Sequence, residues 1–297
     1  MKILILGSQG FIGSHLVDHL VASGNSVAGC DLMEHVSRGY SYQKVSVLSP
    51  DFDTLFLNHR YDVCINAAGS ANVPFSIDHP ISDFEANTMS VAKVLDTIHK
   101  YQPTCRYVHI SSAAVYGDPD EFPVKESCRI APLSPYGYHK WMSEILCREY
   151  YMLYHLPVLI LRPFSVYGNG LTKQLFWDIC QKLKENDFIR LYGTGKESRD
   201  FIHIKDLCVI IEKVIRNSSF EADIYNAASG IETPIQEIGE IFKSMFPGNK
   251  QIYFTSEIKP GDPANWKADI SKIEHFGFTT SVSLEKGIRD YIDWYLK

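Results

Sequence analysis

The 297-residue sequence predicts an α/β fold built on a doubly wound parallel sheet, and three observations carry that expectation. Short apolar runs of strand type alternate with helical patterns from the N-terminus to about residue 168. A glycine-rich turn, Gly7-Ser8-Gln9-Gly10-Phe11-Ile12-Gly13, joins the first strand to the first helix. Small or hydroxyl residues, Ala67-Ala68-Gly69 and Ser111-Ser112, follow later strands, at the carboxyl end where open α/β sheets bind ligands.

Taken in order, Lys2 to Leu6 reads as the first strand, followed by the glycine turn and a helix through about Ala22. Ser26 to Cys30 is a second strand, closed by Asp31, and Val45 to Leu48 a third. Asp62 to Asn66 is the fourth. The periodicity then predicts one long helix from about Pro80 to Lys100, with Asn87 inside it. Cys105 to Ile110 makes a fifth strand and delivers Ser111 and Ser112 to the ligand edge. A helix over Tyr136 to His155 leads to a sixth strand, Pro157 to Leu161, which ends in Arg162-Pro163-Phe164-Ser165-Val166-Tyr167-Gly168.

Gly-x-x-Gly-x-x-Gly between strand and helix lets the backbone turn tightly, approach a pyrophosphate and present N-terminal N–H groups to it. A carboxylate after the second strand accepts hydrogen bonds from the adenosine ribose hydroxyls and repels a 2′-phosphate, so Asp31 favours NAD over NADP. Tyr136 and Lys140, four apart, fall on one helix face. An ammonium held near a phenol favours the phenolate, and the expectation is a Tyr136 pKa drawn below ~10. With a hydroxyl from Ser112, the set forms a base for removing a proton from an alcohol.

The composition narrows the partners. Net charge is −6 and no Lys/Arg block occurs, which argues against nucleic acid. No apolar run reaches membrane-spanning length, so a soluble, cytoplasmic protein without membrane contact is expected. Seven scattered cysteines, never spaced C-x-x-C, read as reduced thiols rather than as a disulfide frame or metal site.

Together these residues resemble the extended short-chain dehydrogenase/reductase family, in its nucleotide-sugar epimerase/dehydratase branch. Gly193-Thr194-Gly195-Lys196-Glu197-Ser198-Arg199-Asp200, Tyr225-Asn226-Ala227-Ala228 and Lys259-Pro260-Gly261-Asp262 extend the resemblance over nearly the whole chain. It implies a Rossmann-type NAD-binding domain, residues 1–168 plus about 200–228. A smaller C-terminal α/β lobe, about 169–199 plus 229–297, would hold a nucleotide sugar. It also implies that Gly7, Gly10, Phe11, Ile12 and Gly13 hold the pyrophosphate and Asp31 the adenosine ribose. Ala67, Ala68, Gly69, Asn87 and Ser111 would line the cofactor path, and Pro163 would stand near the nicotinamide. Ser112, Tyr136 and Lys140 would carry catalysis, the last two also touching the cofactor.

On the substrate side the resemblance implies that Arg199 grips a diphosphate. Lys259 stands where many relatives have a second arginine, and a lysine makes a looser point-charge contact. Ser165 replaces a frequent substrate-contacting asparagine. Trp266 either walls the sugar pocket or is a core tryptophan. The adenine-contacting aspartate of relatives is missing from Ser46-Val47-Leu48, with only Asp51 nearby. A homodimer through the two long helices is implied as well.

Within that branch, dehydratases carry an Asp-Glu pair after the catalytic hydroxyl residue, because eliminating water needs a further acid and base. This chain has Ala113-Ala114, which cannot transfer protons. What remains is epimerisation of a nucleotide-activated hexose at C4 through a transient keto-sugar, or reduction of a nucleotide-linked 4-keto-deoxysugar with NAD(P)H. Asp31 tips the choice to the NAD-retaining epimerase. A non-catalytic dinucleotide sensor would be expected to lose Tyr136 or Lys140, and both are present.

Overall fold

The computed structural model describes residues 1–34, 39–45, 51–257, 261 and 263–297. Its strands are β1 (Lys2–Leu6), β2 (Ser26–Asp31), β3 (Ser41–Lys44), β4 (Val63–Asn66), β5 (Arg106–Ile110) and β6 (Val158–Pro163). They continue with β7 (Ser165–Tyr167), β8 (Phe188–Leu191), β9 (Ser198–His203), β10 (Glu221–Ala227), β11 (Glu232–Pro234) and β12 (Gln251–Phe254). Seven of these form one sheet in the order β10-β6-β5-β4-β1-β2-β3, every neighbouring pair parallel. The chain direction across the sheet reverses between β1 and β4, which opens a crevice at the carboxyl ends of those strands.

Helices cover both faces. Ile3 and Ile5 of β1 pack with Leu16 and Leu20 of α1 (Phe11–Ala22). Leu4 and Leu6 turn to the opposite face, against Leu55 and Phe56 of α2 (Asp53–Asn58). Alternate side chains point to opposite faces, so a strand covered on both sides reads as an unbroken apolar run. The sheet's seventh strand, β10, returns late in the chain beside β6.

The third strand differs from the sequence expectation. It is Ser41–Lys44, half-buried at the sheet edge, rather than Val45 to Leu48, of which 46–48 lie outside the described residues. A polar Ser-Tyr-Gln-Lys run gives no apolar signal, because an edge strand has one neighbour and little burial.

The long helix over Pro80 to Lys100 is also interrupted. After α3 (Val73–Asp78), α4 (Pro80–Phe84) passes through one π-helical turn, Glu85–Met89, before α5 (Ser90–Tyr101). The wider turn directs Asn87 and Thr88 into the interior.

Helix α6 (Pro135–Tyr154) starts sharply. The Ser134 hydroxyl accepts from the Gly137 N–H at 3.3 Å, and Pro135 occupies the first helical position. Later in the chain, α7 (Gln174–Glu185), α9 (Ile235–Met245) and α11 (Leu284–Tyr295) share a third cluster centred on Phe176, Phe242, Ile288 and Tyr291. Between them in sequence come α8 (Ile204–Asn217), packed on the large sheet, and α10 (Ser271–His275). No helix among the described residues is long and apolar enough to cross a membrane.

Candidate active site

The glycine turn is built to leave backbone uncovered. Gly7 has φ +80°, and a Cβ on it would lie 2.7 Å from the Ala68 nitrogen; a Cβ on Gly13 would run into the Gly7 carbonyl. The N–H groups of Gly7 and Ser8 both donate to the Cys30 carbonyl, at 2.8 and 3.2 Å, tying the turn to β2. Gly10 caps α1 without a side-chain hydrogen bond, and no acidic residue enters the first turn, where Phe11, Ile12 and Gly13 present their backbone. A helix N-terminus open in this way attracts an anion.

Asp31 closes β2 at the lip of that turn. Its carboxylate accepts from the Gln9 N–H at 2.9 Å and from the Leu32 N–H at 2.7 Å, which fixes it beside the phosphate-sized cradle. At the end of β4, Ala67 is half-buried while Ala68 and Gly69 are exposed. Asn87 is buried next to them, and its amide oxygen has no partner among the described residues. A side-chain-free cradle, an uncapped helix start and an orphaned buried acceptor fit a dinucleotide laid across the strand ends.

The three residues of proton chemistry converge. Ser112 leaves β5 and starts a 3₁₀ turn, Ala113–Val115, accepting from the Ala114 N–H at 3.1 Å. Its hydroxyl faces the Tyr136 phenol closely enough to favour the phenolate. Tyr136 and Lys140 lie one turn apart on α6, 7% and 5% exposed, with the ammonium 6.0 Å from the phenol ring centre. Lys140 Nζ donates to the Ile110 carbonyl at 3.0 Å, which anchors it to the end of β5.

The electrostatics correct one expectation. Burial pushes the Tyr136 phenol up to about 12; the Ser112 hydroxyl opposes that and the Asp83 charge adds to it. Burial dominates, because taking a phenolate out of water costs more than its neighbours return, and the pull expected from Lys140 is not among the causes of the shift. Lys140 itself is held down at about 8 by burial, against the charges of Asp83 and Glu144, which favour its ammonium.

Ser111 is turned elsewhere. Its hydroxyl donates to Glu144 Oε1 at 2.6 Å, and Glu144 is gripped by Arg162 through Nε at 2.9 Å and Nη2 at 2.6 Å. Arg162 reaches on to the Tyr116 hydroxyl at 2.8 Å. Pro163, which follows, is buried at the end of β6 opposite Ala227.

The substrate-side set is more dispersed. Ser165 opens β7, half-buried and paired with Phe201. Arg199, on β9, donates from Nη1 to the Ser198 and Ala264 carbonyls at 2.8 and 3.2 Å. Its guanidinium lies 5.6 Å from the Trp266 ring centre. Trp266 is 8% exposed, donates its indole N–H to the Gly117 carbonyl at 3.1 Å and packs edge-on against Phe164. It is a core residue with the arginine against it. Lys259 lies outside the described residues, as do Asp262, His35 and Arg38.

Three residues escaped the sequence reading. Lys173, just before α7, is exposed at the surface yet flanked closely enough for its pKa to be held down by burial, and its charge opposes that of Lys140. Asp83 and His139 form a buried pair, His139 Nδ1 to Asp83 Oδ2 at 2.6 Å. The available signal was spacing: Asp83 stands four residues before Asn87, and His139 lies between Tyr136 and Lys140. Among the described residues, no cluster of His, Cys, Asp and Glu could hold a metal ion.

Comparison with known proteins agrees with this geometry. The model of the NAD dependent epimerase/dehydratase family matches residues 3–228. A putative UDP-glucose 4-epimerase of Methanocaldococcus jannaschii is 28% identical over 98% of this chain and 97% of its own length. A dTDP-glucose 4,6-dehydratase of Escherichia coli is 26% identical, covering 100% and 93%. Among solved structures, UDP-glucuronic acid 4-epimerase of Bacillus cereus, in complex with UDP-glucuronic acid and NAD, superposes with a TM-score of 0.91 at 26% identity, over 100% of this chain and 99% of that one. A match over most of the chain, on a site with the fitting cradle, makes this protein a member of the NAD-dependent epimerase/dehydratase family, with NAD as its cofactor.

Proposed function

We propose that the chain epimerises a nucleotide-activated hexose at C4, through a transient keto-sugar, while retaining its NAD. The observation that carries the reading is the convergence of Ser112, Tyr136 and Lys140 at the strand ends beside the glycine turn. Ala113 and Ala114 follow Ser112 where dehydration would require proton-transferring groups. The likeness to UDP-sugar 4-epimerases supports a UDP-hexose as the first substrate to test.

In this mechanism the Gly7-to-Gly13 turn and the start of α1 hold the pyrophosphate, and Asp31 holds the adenosine ribose. Ala67, Ala68, Gly69, Asn87 and Pro163 bound the rest of the cofactor. Oxidised NAD, when bound, supplies a cationic ring and a hydride acceptor that can return the hydride. Tyr136 takes the hydroxyl proton of the sugar and gives it back, and Ser112 hydrogen-bonds the reacting oxygen. Lys140, as ammonium, holds negative charge on the phenol and donates to the nicotinamide ribose. A buried phenol pushed up to about 12 becomes a base only when cations gather around it, so deprotonation depends on the loaded cleft.

The lobe formed by about 169–199 and 229–297 is assigned to the sugar nucleotide, with Arg199 and Lys259 on the diphosphate and Ser165 toward the sugar, while Trp266 backs Arg199 from the core. A second copy of this chain is the assigned partner, through the apolar groove of Phe84, Met89, Met142, Ile145 and Leu146 between the π turn and α6.

The test incubates the purified protein with UDP-hexoses and no added cofactor, and separately with a keto-sugar nucleotide and NADH or NADPH. The account expects the C4 epimer in the first assay and a loss of roughly a hundredfold or more in Tyr136→Phe. Stoichiometric consumption of reduced cofactor in the second assay, with no turnover in the first, would replace the epimerase by a ketoreductase.

A further inference from the structure

A fully buried carboxylate links the catalytic helix to the cofactor edge. Asp83, in the last turn before the π bulge, is 0% exposed. One oxygen accepts from His139 on α6 at 2.6 Å, and the other accepts from the Asn87 Nδ2 at 3.0 Å. The same Asn87 nitrogen donates to the Ser70 carbonyl, also at 3.0 Å. Two acceptors on one side of the amide leave only one orientation, since a carbonyl turned toward them would meet two oxygens.

The orientation has a consequence for the other end of the amide. Asn87 Oδ1 is buried without a partner among the described residues and lies 2.5 Å from where a Cβ on Gly69 would stand. A buried acceptor without a partner is costly unless a donor arrives. Here the neighbouring glycine leaves that side open.

We infer that Asp83 is a positioning residue for the dinucleotide: anchored by His139 from the catalytic helix, it fixes the Asn87 amide so that its oxygen accepts from the bound cofactor. Asp83 and Asn87, four apart where α4 runs into the π turn, share a face and are both buried, at 0% and 1% exposure. His139, 9% exposed between Tyr136 and Lys140, ties the same carboxylate to the helix that holds the phenol, and its backbone carbonyl accepts from Thr88 of the π turn at 3.0 Å. The assignment rests on the NAD-binding reading above and names a residue acting through Asn87, without contact to the cofactor itself.

The experiment measures NAD affinity by calorimetry for the parent, Asp83→Asn, Asn87→Ala and the double variant. An amide at 83 can present either its oxygen or its N–H groups to Asn87, so it no longer dictates the orientation. The expected result is a dissociation constant raised about tenfold in each single variant and about tenfold, rather than a hundredfold, in the pair, because both changes remove one interaction. An affinity within twofold of the parent in Asp83→Asn, or losses that multiply in the double variant, would overturn the inference. A merely structural carboxylate would lower the melting temperature and leave the affinity of the folded protein alone. Should Asp83→Asn not fold, Asp83→Ser carries the same comparison. A parent that binds no NAD would remove the underlying reading, whereas a parent that binds beside an unaffected Asp83 variant removes this inference alone.

Discussion

The two sides of the crevice are made differently. On the dinucleotide side the surface is mostly backbone: Gly7 and Gly13 have no room for a Cβ, α1 begins uncapped, and Asp31 is pinned by the N–H groups of Gln9 and Leu32. On the side proposed for the sugar a side chain forms the surface: the Arg199 guanidinium is bonded to the Ser198 and Ala264 backbone carbonyls and laid against a core tryptophan. A backbone surface has a shape that is set once the chain folds. A side-chain surface can exchange its internal bonds for a ligand, and its selectivity follows from those exchanges.

If that contrast holds, substitutions on the two sides should fail in different ways. The larger effect is expected at Gly13→Ala, where the new methyl meets the Gly7 carbonyl rather than a movable side chain. Overpacking against backbone costs about 1–3 kcal/mol, so NAD binding should weaken by roughly tenfold to a hundredfold, with a lower melting temperature. Calorimetric titration with NAD checks this, and an unaltered affinity would mean the turn is not the cradle. A smaller effect is expected at Arg199→Met. Loss of a charge-assisted contact to a diphosphate remote from the reacting carbon should raise KM by about tenfold and leave kcat within about twofold. A fall in kcat with KM unchanged would move Arg199 to the chemistry and blur the distinction between the sides.

The same contrast explains what the sequence could reveal. The turn of Gly7, Gly10 and Gly13 was legible because a tight turn and a close approach each demand glycine at one spacing. Five of the seven strands of the main sheet were marked by apolar runs; β10 carried a motif but was not read as a strand, and β3 was misread, since an exposed edge needs no apolar pattern. The π turn left no mark in a helical periodicity that continues through it. The spacing of Asp83 and His139 hinted at each singly, but their pairing was not legible because a buried pair is a property of two distant segments, 56 residues apart. The direction of the Tyr136 shift was wrong for a related reason: spacing shows that a lysine is near, and only the fold shows how little water remains.

In the proposed mechanism Tyr136 is a buried phenol that becomes ionisable when the cofactor fills the cleft. Ultraviolet difference spectra between the parent and Tyr136→Phe, taken with and without NAD, test it most directly. Burial disfavours the anion and raises the pKa, so the cofactor-free phenol should stay protonated at about pH 9; a cationic ring favours the anion, so adding NAD should bring a phenolate signal in at lower pH. Ionisation of Tyr136 below about pH 9 without cofactor, or a spectrum that does not respond to NAD, would contradict the account.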